Sequence, residues 1–138
     1  MKFSFEVKVD ATLEKVWALY EDVNKWFAWE DDLETISLEG AFTQGTQGTM
    51  KLVGQPSISF KLVSVTPNKE FTDKTTIPDM GDLYFTHELS KSGNQTQIKH
   101  SVEFIPLNRK ETIEDTKFVA QIFADVPTSI FALAQAAK

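Results

Sequence analysis

Residues 112–137 read TIEDTKFVAQIFADVPTSIFALAQAA. Val119, Ile122, Phe123, Val126, Ile130, Leu133 and Ala134 recur at spacings of three and four, which gathers them on one side of a helix. Glu114, Lys117, Gln121 and Ser129 fall largely on the other side. At ~1.5 Å per residue such a helix spans roughly 35–40 Å. An apolar face that broad needs a large surface to cover it, and the rest of the chain reads mostly as strand. The pattern therefore predicts a sheet wrapped around one long C-terminal helix. Pro127 interrupts the periodic run. It has no N–H for the carbonyl of Phe123 and its ring crowds that turn, so a kink is expected, or two helices meeting at Ala124–Pro127. Such a bend would let the helix follow a curved sheet or would gate a cavity; the sequence does not separate the two.

Outward from that helix, the chain begins with Phe3, Phe5, Val7 and Val9 alternating with polar residues, a strand with one buried face. Thr12 is placed to N-cap a helix over Leu13–Asp22, with Val16, Trp17, Leu19, Tyr20 and Val23 as its apolar side. A second short helix or turn follows at Asn24–Trp29. From Leu33 onward the chain alternates strands and turns. Ile36 and Leu38 mark one strand, Gly48 to Val53 the next, and Ile58, Phe60 and Leu62 a third. Phe71 to Ile77 is a more polar strand, expected near an edge. Leu83, Phe85, His87 and Leu89 share a face, and so do Ile98, His100, Val102 and Phe104 after the hairpin signal Ser92-Gly93-Asn94. Six strands joined by short turns predict an antiparallel meander within one α+β domain spanning 1–138.

The run from Val9 to Trp17 (VDATLEKVW), then Asp22 to Trp29 (DVNKWFAW), resembles the opening of the START-related (SRPBCC) superfamily, and most of all its polyketide cyclase/dehydrase-like branch. Leu38-Glu39-Gly40, Gly45 to Thr49, Phe71-Thr72-Asp73 and His87-Glu88-Leu89 continue the resemblance. It implies a helix-grip fold: a curved seven-stranded antiparallel sheet closing on a long, kinked C-terminal helix, with two short helices after strand 1 and a cavity between. It also implies binding of an apolar or amphipathic small molecule, whether lipid, aromatic or polyketide-like, and places Trp26 and Trp29 at the cavity entrance. The branch has no universal catalytic set, so none is carried over.

Bulk properties narrow the field. A formal net charge of −6 argues against a nucleic-acid backbone or an anionic membrane as partner. With no cysteine, disulfides and thiolate metal sites are excluded. No apolar run approaches the ~20 residues of a transmembrane helix, and the amino-terminal alternation lacks a signal-peptide core, so a cytoplasmic location is the expectation. Phenylalanine accounts for 11 residues against 2 tyrosines, which suits a dry core or a pocket for apolar ligands.

Both histidines fall on the apolar side of their strands. A turn at Gly93-Asn94 puts His87 directly opposite His100; a turn at Ser92-Gly93 leaves them diagonal. They are candidates for polar contact with a ligand, and also, more plainly, for satisfied core histidines. Acid–base work is the enzymatic alternative. Asp73 is inward by parity with Phe71 but is more simply read as wet, near an edge; with the histidines it makes only a weak third metal ligand. Asp31, Asp32 and Glu34 read as a solvated acidic cluster. The expected ligand-binding residues are Trp29, Met50, Phe60, Phe85, His87, His100, Val102, Val119 and Phe123. No catalytic residue, metal or cofactor is expected. A monomer or weak homodimer, with an edge at Phe71–Ile77, is the expected state. The alternatives to a binding domain are a cyclase or dehydratase using a cavity histidine, and a protein-interaction module of the kind that stimulates a chaperone ATPase.

Overall fold

Period-two alternation produces β1 (Lys2–Val9), whose Ser4, Glu6 and Lys8 are exposed while Val9 is buried. The computed structural model describes all 138 residues, Met1–Lys138. Helix α1 (Leu13–Glu21) starts where the Thr12 hydroxyl accepts the Lys15 N–H at 3.2 Å, and it buries Val16, Trp17 and Tyr20. A 3-10 helix, Val23–Ala28, follows directly. The strands are β2 (Leu33–Leu38), β3 (Gln47–Leu52), β4 (Ile58–Thr66), β5 (Glu70–Ile77), β6 (Gly81–Ser92) and β7 (Gln95–Pro106). Each pairs antiparallel with the next, and β1 adds to β7, so the seven-stranded order is β1-β7-β6-β5-β4-β3-β2.

That order corrects one expectation. β5 is not an edge: it pairs with β4 on one side and β6 on the other. Its polarity has another cause. Phe71, Asp73 and Thr75 point inward and are buried, while Thr72, Lys74 and Thr76 sit on the face of the sheet that meets water. The edges are β1 and β2. A dimer built by pairing along Phe71–Ile77 is excluded, because its backbone hydrogen bonds are already taken.

The hairpin between β6 and β7 turns on Gly93 and Asn94, with Gly93 at φ 62°, a conformation glycine adopts without strain at the first turn position. Register shifts between Leu33 and Thr35, and between Leu62 and Ser64, bend the sheet. At Gly48 the Phe60 ring lies across the backbone; a Cβ there would fall 2.4 Å from the Phe60 Cζ.

The long helix is two helices, α2 (Ile113–Phe123) and α3 (Val126–Ala136), separated at Ala124–Asp125 just ahead of Pro127. Thr112 and Asp115 form a capping box at the start of α2, and Arg109 holds the Asp115 carboxylate with two bonds of 2.8 Å. By length and composition alone, Ile113–Ala136 would also qualify as a membrane span, which the sequence reading did not anticipate. In the fold one side of it packs on β1 and β7, with Val119, Ile130 and Leu133 fully buried, while most of the span is exposed or half-buried, Ile113 and Phe131 among the exposed residues. Two apolar clusters result. The larger joins α1, the 3-10 helix, α3 and the sheet; the smaller gathers Leu83, Val102, Phe104 and Val119 beneath α2.

Candidate functional site

Where those clusters meet, the interior is open. Two adjoining lobes of about 140 and 150 Å³ share Glu30, Leu52, Phe85 and His87. The first lobe is walled by Trp26, Trp29, Met50 and Ile58, with Asp73 and Thr75 on the sheet side. The second runs toward His100, Val102, Ile122, Asp125 and Ser129, under the break between α2 and α3.

Sheet register sets the inner wall. Asp73 stands opposite Phe85, Phe71 opposite His87, and His87 opposite His100. The His87 ring stacks on Phe71 with centroids 3.9 Å apart and meets His100 edge-on at 4.6 Å. His87 Nδ1 lies 3.2 Å from the Phe71 carbonyl, which only accepts, so Nδ1 carries the proton and Nε2 does not. Burial holds the His87 pKa down at about 3. His100 is also lowered, first by burial and then by His87. Burial raises Tyr20 well above its usual range, so its phenol stays protonated, and its hydroxyl shares a 2.7 Å hydrogen bond with His100 Nε2. Both imidazoles are therefore neutral.

The carboxyls behave differently. Asp73 is 4 % exposed and makes no side-chain hydrogen bond; burial pushes its pKa up to about 8. Every side-chain polar atom sealed from solvent has a partner, so the Asp73 oxygens must face the open space of the cavity. Glu30 is also pushed up to about 8, by burial and then by Asp32, Asp73 and Asp125, against a hydrogen bond from Ser129. Neither lobe is lined by a lysine or arginine. No three carboxylate or imidazole groups converge as metal ligands would.

Of the nine residues anticipated at the cavity, Trp29, Met50, Phe85, His87, His100 and Val102 line it. Three do not. Phe60 is buried against the Trp26 ring, Val119 fills the smaller cluster, and Phe123 meets Phe3 edge-on at 5.8 Å. The face of α2 is largely spent on packing against β1 and β7, so only Ile122 reaches the opening from that helix. Trp26 and Trp29 are not at an entrance: both are buried, and their indole N–H groups donate to the carbonyls of Tyr20 and Leu19, which end α1 without helical partners. Asp73 is not wet at an edge, because β5 is central. Ser129, expected outside, lines the second lobe because it follows Val126 by three residues and shares its flank. Glu30 went unread; its place immediately after Trp29, where the chain turns from the 3-10 helix, was the available signal.

No protein-family model matches the sequence, and no curated protein matches it. Solved structures do match over nearly the whole chain. Ara h 8.0201 superposes with TM-score 0.78 at 14 % identity, covering 99 % of this chain and 97 % of that one. Truncated norcoclaurine synthase from Thalictrum flavum gives 0.74 at 16 % identity, covering 98 % and 91 %. Aha1 from Colwellia psychrerythraea, solved as a dimer, gives 0.73 at 18 % identity, covering 99 % and 96 %. These likenesses show the fold.

Proposed function

We infer from the helix-grip fold, which is that of the START-related superfamily and its polyketide cyclase/dehydrase-like branch, that residues 1–138 act as one ligand-binding domain. The ligand is a small apolar or amphipathic molecule held between the sheet and the helices. One observation carries this reading: two lobes that share Phe85 and His87 stay open inside an otherwise close-packed interior. Their size narrows the ligand. A cavity of about 150 Å³ holds a single benzene-sized body. The volume favours a ring with a short substituent over a two-chain lipid. Trp29, Met50, Phe85 and Val102 supply apolar wall, and His87 offers a neutral acceptor nitrogen.

The enzymatic alternative with a histidine as acid–base group has less support. A base held at about 3 accepts few protons near neutrality. Ligand-observed NMR with benzyl alcohol tests the binding reading. Binding in the millimolar range is expected, with its loss in Phe85→Trp, a substitution that fills the wall common to both lobes. Absence of binding by benzyl alcohol, toluene and indole alike would overturn it.

A further inference from the structure

The cavity has a charge character that its apolar walls do not explain. Glu30 and Asp32 after the 3-10 helix, Asp73 on β5 and Asp125 between α2 and α3 bring four carboxyl groups to the two lobes. Facing them are His87 and His100, both neutral, and no cationic side chain. Asp73 adds an independent sign. Its side chain is 4 % exposed, it makes no hydrogen bond within the protein, and its oxygens face the open space of the first lobe. A buried polar group in that condition lowers stability unless something binds it.

We propose that this cavity takes a protonated amine carried on a body about the size of one aromatic ring, with the Asp73 carboxylate receiving the ammonium and Trp26, Trp29 and Phe85 walling the ring. The inference rests on the cavity binding a small molecule and narrows its class. A metal ion fits poorly, since no set of ligands converges. An anionic ligand such as a fatty acid meets carboxyl groups and no counter-charge. Benzene-like walls suit an arylalkylamine better than a polyamine, whose second charge would have to sit among Met50, Leu52 and Ile58. Burial pushes Asp73 and Glu30 up to about 8, so an arriving cation would draw their protons off, and binding should strengthen between pH 6 and pH 8.

The test is an NMR titration with benzylamine, benzyl alcohol and phenylacetate. Benzylamine should bind on the order of tenfold tighter than benzyl alcohol, and phenylacetate should not bind. Asp73→Asn should reduce benzylamine to the benzyl alcohol level. Glu30→Gln should weaken benzylamine severalfold without changing benzyl alcohol, and it carries the test if Asp73→Asn does not fold. If benzyl alcohol binds and benzylamine binds no tighter, the amine assignment is wrong while the cavity reading stands. If neither binds, both fall. An amine preference that survives both substitutions belongs to the acidic surface and overturns the proposal.

Discussion

Asp73 sits on a central strand, almost wholly buried, with no cation beside it in the fold. Its folded pKa of about 8 lies above the ordinary 3.8. The folded chain therefore keeps a proton that the unfolded chain releases in the interval between those values. Stability from this group is full below about pH 4 and falls as pH rises to about 8. Glu30, raised from 4.5 to about 8, acts in the same direction. Replacing Asp73 with Asn removes the charge that must be buried at high pH. Asp73→Asn is expected to raise stability by several kcal/mol at pH 8 and by markedly less at pH 5. Urea denaturation at the two pH values measures it; equal effects at both would show that the carboxyl is hydrated rather than sealed. The histidine pair needs no such experiment to be legible, since its alignment follows from strand parity and a two-residue turn at Gly93-Asn94.

At the scale of elements, the start of α2 depends on one carboxylate. Asp115 accepts two bonds from Arg109 and one from the Thr112 N–H, which ties the linker after β7 to the first turn of the helix. The Arg109 hydrogen bond, ahead of the others, holds the Asp115 pKa well below the usual carboxylate range. Its stabilising contribution is present above the ordinary aspartate pKa and is lost as the pH falls below it. Asp115→Asn should therefore lower the melting temperature at pH 7 and flatten the drop in stability on acidification below pH 4. Thermal denaturation across pH 3–7 decides this; a variant that melts like the parent at pH 7 would mean the bidentate contact does not hold the helix. The other end of α2 needs no partner to explain it. Pro127 denies the Phe123 carbonyl its donor, and the helix stops there.

The whole molecule is a seven-stranded meander with unequal support along it. β6 and β7 each run 12 residues and are paired on both sides. β2 has 6 residues, one neighbour and a register shift. Local opening follows burial and pairing. Amide exchange is expected to be slowest in the middle of β6 and β7 and fastest among strand amides in β2. Comparable protection in β2 would mean that this edge is covered by something other than β3.

Parity and period were enough to read the meander, the inward rows of β6 and β7, the opening helix and the break before Pro127, because each depends on neighbours within one element or across one turn. The resemblance carried by the VDATLEKVW and DVNKWFAW runs supplied the helix-grip arrangement, which periodicity alone does not dictate. What the sequence could not state was where a strand lies within the sheet. Polar residues on β5 look the same whether they line an edge or the wet face of a central strand, and that ambiguity hid Asp73. Likewise, Val119 and Phe123 are indistinguishable by pattern from cavity residues, since a helix face that packs and a helix face that lines a space carry the same side chains. Only the tertiary structure decided which apolar residues interlock and which leave room, because free volume is a property of surfaces brought together from distant parts of the chain.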